Sequence, residues 1–457
     1  MISRDVDLLD MQSKLLDWLR KKMPDASDLV ISDMERSGAG FTNESFLFAL
    51  AWKEGGEHKS AGMILRCEGT VYPIYPEPKV EMQFRILEQL ANTNVPVPSV
   101  YWFESDARLL GTPFYLMDKL DGIVPSEFPP YHSFGICYDS TPQQREKMWW
   151  QLIEGVARLH KLNWKIMDFS FLKTPPDGTG PIDQDLDYWE KFLEWIKDDP
   201  DEAHPTLEAA LLWLKENRYE PDHVSLCWGD ARFPNSIFTP GGELLGLLDW
   251  DISHLGDPES DLAFITTTDH LLGECIGVPR LDGFPSKEET IQRYEELTGR
   301  KVKHFFYNEV RAACVTGLHV VKVQRNLKQI GVSLPGDDPD RDNFCTQYLA
   351  GLLGLPAPGI AWKDISRIED LEATVQFQLT GAADGDWYVI CDRGNINRHE
   401  GMAENPITTV TMPADVWSSI QKGEMNQFQA WTSGELKIDG DHTVLHLLEA
   451  VISRLDV

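Results

Sequence analysis

Between Cys227 and Asn235 the chain reads Cys-Trp-Gly-Asp-Ala-Arg-Phe-Pro-Asn, and shortly afterwards Leu248-Asp249-Trp250 closes a short apolar run. The run from Leu244 to Leu248 predicts a buried strand, which places Asp249 where that strand ends. Asp230 and Asn235 stand five residues apart on a tight loop before it. Three oxygen-bearing side chains so arranged suit phosphoryl transfer, which needs little covalent work from a protein: a hydroxyl must be aimed and magnesium held against phosphate oxygens. Asp230 is the candidate to orient an acceptor hydroxyl and take its proton, with Asn235 and Asp249 as metal ligands. Hard oxygen donors suit Mg2+, which shares its shell with waters and substrate phosphates. For the loop alone, a turn beside Pro234 is the plainer reading; the strand-end Asp tips the balance toward ATP-dependent chemistry.

A second stretch fits that chemistry. Ser37 to Glu44 carries Gly38, Gly40, Thr42 and Asn43, and beyond it Phe46, Phe48, Leu50 and Trp52 alternate as in a strand. A strand-loop-strand here would cover a triphosphate, although two glycines in a hairpin more often make only a turn. A dinucleotide fold is excluded, because its glycines must open a helix.

Length and charge narrow the classes further. A chain of 457 residues exceeds one ordinary core, so two or three domains are expected. Its net charge of −31 argues against an extended nucleic-acid surface, where affinity comes from Lys and Arg on phosphates. A cleft for a polycationic acceptor is one reading of the acidity. Solubility is the better one, since the acidic residues do not gather around Asp230. The seven Cys form no close pairs, so neither a disulfide framework nor a zinc site is predicted, and a reducing compartment, by default the cytoplasm, is expected. No apolar run is long enough for a transmembrane segment.

Helical spacing of apolar residues predicts an N-terminal helix through Leu8, Met11, Leu15 and Trp18, and helices over Gln143 to His160, around Leu207 to Leu214, over Lys287 to Arg300 and over His304 to Asn326. His160, at a helix end near the core, reads as a structural histidine. Tyr131 and His132 lie in an irregular insert from Gly122 to Ser140, read as a pocket lid or as a loop packed on the surface. Pro and Gly from Leu352 to Gly359 mark a domain boundary. Beyond it, Val375, Phe377 and Leu379 pair naturally with the strand from Trp387 in a hairpin. Further strands are predicted at Val410 to Met412 and Gly434 to Ile438, a short helix over Asp415 to Gln421 capped by Asp415 or Pro413, and a terminal helix from Val444 to Leu455.

The chain resembles the aminoglycoside phosphotransferase-like kinases, in particular the branch fused to some acyl-CoA dehydrogenases. Besides the two motifs above, Gly256 to Ala263, Val95-Pro96-Val97-Pro98 and Gly111 to Met117 carry the resemblance, over roughly the first three quarters of the chain. It implies an α+β, bilobal protein-kinase-like fold, with a small lobe over residues 1–118 and a large lobe over 119–358, using ATP and magnesium. Met117 then falls at the lead into the hinge and Arg66 takes the basic strand position of the phosphate grip. Two departures stand out. Trp228 replaces the family's usual His before the Gly-Asp pair, and Gln83 stands where a Glu usually pairs the strand cation, leaving Glu81 as the substitute partner. Arg66 can still grip phosphate oxygens through its fork.

Residues 359–457 resemble the type-2 sterol carrier protein family, through Ser419 to Gly423, Ala430 to Asp441 and the final helix. That resemblance implies a five-stranded sheet with helices around an apolar tunnel for a lipid or acyl ligand, which Trp417 and Trp431 would plug. Together the two imply a kinase for the hydroxyl of a small, mainly apolar acceptor such as a hydroxyacyl-CoA or a hydroxylated steroid. The alternatives are a degenerate kinase fold serving as a lipid-binding or scaffolding module, and an aminoglycoside-type phosphotransferase.

Overall fold

The computed structural model describes residues 6–37, 43–69, 71–77, 79–127, 129–172, 180–329, 343–355, 372–381, 385–392, 395–422, 430 and 435–440. Gly38, Gly40, Thr42, Trp431, the boundary at Gly359 and the terminal helix predicted from Val444 lie outside these residues.

The N-terminal unit is an antiparallel sheet sandwiched between two helices. Strands β1 (Ser27–Ile31), β2 (Glu35–Arg36), β3 (Glu44–Glu54), β4 (Glu57–Cys67), β5 (Val100–Glu104) and β6 (Phe114–Asp118) are ordered β1-β3-β4-β6-β5, with β2 on β3. Gly55 and Gly56, both at positive φ, make the two-residue turn that locks β3 to β4. Helix α1 (Leu8–Lys22) is capped by Asp7 and buries Met11, Leu15, Trp18 and Leu19 against one face of the sheet. Phe46, Leu65, Phe114 and Leu116 meet it there. The strand period of two sends the alternate residues to the other face. Arg66, opposite Ser45 and Tyr115, and Met117, opposite Ile64, therefore face helix α2 (Val80–Leu90) and the larger unit.

That larger unit is mainly helical, as its periodicity predicts. It comprises α3 (Ile136–Asp139), α4 (Pro142–His160), α5 (Pro181–Ile196), α6 (Pro205–Glu216), α7 (Glu259–Leu271), α8 (Lys287–Thr298), α9 (Phe305–Gln329) and α10 (Phe344–Leu353). Two small antiparallel ladders interrupt the helices: β7 (Ser225–Cys227) with β10 (His254–Gly256), and β8 (Ser236–Phe238) with β9 (Leu244–Leu247). A capping box of Thr141 and Gln144, with Pro142 in the first turn, starts α4. The insert before it keeps Ile123, Val124, Phe134 and Tyr138 exposed, but its middle turns inward. Tyr131 and His132 are buried, and Asp269 of α7 binds the Tyr131 hydroxyl, His132 Nε2 at 3.0 Å and Arg280 Nε at 2.6 Å, so the segment is tied into the core.

The C-terminal unit has its own core. Strands β11 (Glu372–Thr380), β12 (Asp386–Asp392), β13 (Asn395–Glu400), β14 (Thr408–Pro413) and β15 (Lys437–Gly440) are ordered β13-β12-β11-β14-β15, with β11 parallel to β14. Helix α11 (Ala414–Gln421) has Pro413 as its N-cap and no side-chain cap, so Asp415 does not close it. Trp417 packs edge-on against Phe377 and Trp387, which stack with centroids 4.0 Å apart, so aromatic rings fill the middle of this unit.

Candidate active site

The loop from Trp228 to Asn235 joins β7 to β8 and is held by its backbone. Asp261, one turn into α7, accepts from Trp228 N at 2.6 Å and Gly229 N at 2.8 Å. His160 Nε2 lies 3.0 Å from the same carboxylate, and His160 Nδ1 2.7 Å from the Tyr294 hydroxyl, which makes His160 the structural residue expected. Gly229 is obligatory at φ +89°, since a Cβ there would stand 2.2 Å from the Ile252 carbonyl oxygen.

The loop then delivers its polar side chains to one place. Asn235 Nδ2 donates to Asp230 Oδ2 at 2.7 Å and to the Asp230 carbonyl at 3.0 Å, leaving Asn235 Oδ1 for another partner. Leu248 N donates to the Asn235 carbonyl at 2.7 Å, and Ser236 pairs with Leu247 in the β8–β9 ladder. This register sets Asp249 beside Asn235 at the end of β9. Asp249 has φ +58°, a left-handed conformation rare outside glycine and the kind of local strain that functional sites store. Trp228 pins it there: the buried indole N–H is shared by the carbonyls of Leu248 (2.8 Å) and Asp249 (3.1 Å).

From the small sheet, Arg66 reaches the same place. Its guanidinium donates to Asp249 Oδ1 at 3.2 Å and Ser45 Oγ at 3.3 Å, and lies 3.8 Å from Asp251. The expected helix partner is not used. Glu81 is exposed on α2, and the described carboxylates paired with Arg66 are those of Asp249 and Asp251. Gln83 is buried and instead donates to Asp251, as does Asn43 at 3.1 Å. A glutamate at position 83 would face Asp251 across a hydrogen-bond distance, so the amide suits the site as built. Arg66 Nε is shut from solvent without a described partner.

Residues 57–275 match the phosphotransferase enzyme family, and residues 362–453 the SCP-2 sterol transfer family. Likeness to a phosphotransferase domain is thus followed along the chain by likeness to an SCP-2 domain. Its relatives include mouse acyl-CoA dehydrogenase family member 10, 29 % identical over 212 residues covering 46 % of this chain and 18 % of that protein. Human acyl-CoA dehydrogenase family member 11 is 27 % identical over 232 residues, covering 48 % and 28 %. The match thus spans less than a third of those relatives' lengths. Among solved structures, a Ralstonia eutropha protein assigned as an aminoglycoside phosphotransferase superposes with a TM-score of 0.55 at 19 % identity, covering 74 % of this chain and 96 % of that one. That likeness is one of fold, the kinase-like α+β arrangement anticipated from the motifs.

In the phosphotransferase domain, burial and charge set the carboxylates apart. Burial pushes Asp230 up to about 6; Arg232 opposes that rise, while Asp249 and Glu127 add to it. Arg232 Nε stands 3.0 Å from Asp230 Oδ1, and its far nitrogen pairs with Glu127. Burial also opposes ionisation of Asp249, but Arg66, a hydrogen bond with Asp251 and Arg232 outweigh it and hold Asp249 below its ordinary value. Asp251 goes the other way, raised well above by burial and then by Asp249 beside it. The same close contact thus pushes the two carboxylates in opposite directions. Arg232 and Asp251 were legible in principle, each lying two residues beyond a singled-out Asp. Tyr75 had no such signal: it comes from the segment between β4 and α2, and its phenol is raised by burial and then by Asp230, Asp251 and Asp249.

Trp228→Phe removes the indole donor and takes a partner from the carbonyls of Leu248 and Asp249. A loss of about 1–3 kcal/mol in urea unfolding is expected; an unchanged midpoint would contradict the pinning role.

Proposed function

We propose that this protein is an ATP- and magnesium-dependent phosphotransferase that moves the γ-phosphate to a hydroxyl of a small, mainly apolar acceptor, such as a hydroxyacyl-CoA or a hydroxylated steroid or lipid. The observation that carries this reading is the β8–β9 register, which brings Asp230, Asn235 and Asp249 together. The donor set fits the metal: an uncommitted amide oxygen on Asn235 and an ionised Asp249 are hard ligands. A cation suited to phosphate stands beside them in Arg66, whose Nε has no partner among the described residues. Asn235 and Asp249 would hold the ion, and Asn43 and Met117 would border the nucleotide. Magnesium, when bound, supplies neutralisation of phosphate charge.

The chain's own residues do the rest. Asp230 orients the acceptor hydroxyl and takes its proton, held in position by Asn235 Nδ2 and by Arg232. Arg66 links the small sheet to Asp249, so closing the small lobe on the large one and setting the metal ligand are one event. The acceptor class is supported by the SCP-2 match and by the naming of the relatives for acyl-CoA dehydrogenation. The division at residues 118 and 358 belongs to this proposal; the separate cores of the kinase-like and C-terminal units support the second boundary, while α2 and Met117 share the large unit's core across the first.

Asp230→Asn should cut turnover by at least about a thousandfold while leaving the thermal shift produced by Mg·ATP in place; Asp249→Ala should abolish that shift. Equal loss of nucleotide binding in both variants would remove the separation of roles.

A proton acceptor must be ionised, so kcat/KM should fall as pH drops through about 6, the value set by burial of Asp230. Arg232→Gln should move that limb upward. The same raised value stabilises the fold below the unfolded carboxylate's pKa near 3.9 and is lost as pH rises through 6. A profile flat between pH 5 and 7.5 would exclude Asp230 as the base.

A further inference from the structure

Asp230 is held by more than its own loop. Its Oδ2 accepts from Asn235 Nδ2 at 2.7 Å, and Arg232 Nε lies between its two oxygens, 3.0 Å from Oδ1 and 3.1 Å from Oδ2. The other end of that guanidinium is taken by Glu127, whose carboxylate pairs with Nη1 from 105 positions earlier in the chain. Solvent reaches all three side chains, which keep 12 %, 21 % and 27 % of their surface exposed from Asp230 through Arg232 to Glu127, so the array is not packed core.

Glu127 belongs to the insert between β6 and α4, which is fastened on both sides of it. Upstream, Ile123 and Phe238 of β8 exchange two backbone hydrogen bonds, at 2.8 and 2.9 Å. Downstream, the Tyr131 ring packs 5.1 Å from Phe233, the neighbour of Arg232 in the loop, and Tyr131 and His132 both bind Asp269. Between the two anchors Ser126 Oγ donates to the Pro129 carbonyl at 2.6 Å and turns the chain. The insert is thus laid against the segment from Phe233 to Phe238, with Glu127 facing Arg232.

How the guanidinium is shared decides what Asp230 can do. A carboxylate offers about four lone-pair sites, and a base must keep one of them open to the acceptor hydroxyl. Arg232 meets Asp230 through Nε while Glu127 holds Nη1. Released from Glu127, the guanidinium can turn its fork and donate two parallel bonds to Asp230, the strong planar pairing of Arg with carboxylate. Both oxygens would then face the cation, and the hydroxyl would find none.

We propose that Glu127 is a positioning residue for phosphoryl transfer: by holding Arg232 Nη1 it stops the guanidinium fork from closing over Asp230, so that a carboxylate oxygen stays open to the acceptor hydroxyl. This rests on the phosphotransferase reading and adds a residue of the insert to it.

The test uses the full-length protein in ADP-release assays, with 3-hydroxydecanoyl-CoA as acceptor probe and with water alone, and a crystal structure of Glu127→Gln. That variant keeps the size of the side chain and loses its charge. Its kcat should fall about tenfold or more, with the KM for Mg·ATP within about twofold of wild type and the Mg·ATP thermal shift intact, which also shows that it is folded. Adding Arg232→Gln removes the fork, so the double variant should turn over faster than Glu127→Gln alone, a reversal that loss of a merely structural contact would not produce. The crystal structure should show two Arg232 nitrogens on Asp230. A kcat for Glu127→Gln within about twofold of wild type, a double variant no faster than it, or an unmoved Arg232 would overturn the proposal. Wild-type protein that neither binds nor consumes Mg·ATP, with the fork closed on Asp230 in Glu127→Gln, would remove the kinase reading and leave the hold of Glu127 on Arg232 standing.

Discussion

Asp261 grips the loop carrying Asp230 by two backbone N–H groups, and everything at the site depends on that grip. Because the carboxylate holds main chain, the loop's side chains stay free for other work. His160 and Tyr294 satisfy and orient the grip from behind, which explains why a histidine sits fully buried at the end of α4. Gly229 follows from the same constraint: the loop passes so close to Ile252 that no side chain fits. From there the β8–β9 register carries the geometry onward to Asp249, and Trp228 closes the circuit by pinning that residue's carbonyl.

The second constraint is electrostatic. Three carboxylates, Asp230, Asp249 and Asp251, share one small volume with the guanidinium groups of Arg66 and Arg232. Neighbouring like charges repel, so Asp249 and Asp251 do not ionise independently. Arg66 favours the charged form of Asp249, while burial and Asp249 itself push Asp251 up. The usual strand-cation to helix-glutamate pair is thus replaced: the small lobe anchors its cation on the large lobe's acidic strand end, with Gln83 and Asn43 donating to Asp251 beside it. Trp228 and Gln83, the departures that weakened the resemblance, are both fitted to their neighbours.

The elements that sequence reading recovers best are those with strong periodicity: the alternation of β3, the stripe of α1, and helices α4, α8 and α9. The loop motif and strand-end Asp were legible because hard-ligand chemistry restricts residue type and spacing together. Glu81 was misplaced because Arg66 finds its counter-charge across the cleft, a long-range contact that no local spacing encodes. An irregular stretch carries no periodic signal, so sequence alone leaves the segment of Tyr131 and His132 between a lid and a surface-packed loop, and buried Asp269 draws these two residues in. Strand β13 was missed for the opposite reason: Asn395 to Glu400 is polar and lacks the alternation that marks a half-buried strand. Tyr75, between β4 and α2, packs against Phe192 of α5 and His319 of α9, contacts far apart in the chain that only the fold brings into view.

The central claim is that Asn235 and Asp249 hold a divalent cation beside Asp230. Crystals grown with ADP and Mn2+ in place of Mg2+ would test it by anomalous scattering. The account predicts a manganese peak about 2.2 Å from Asn235 Oδ1 and from a carboxylate oxygen of Asp249, with six oxygen neighbours. A peak elsewhere, or none with nucleotide present, would contradict it.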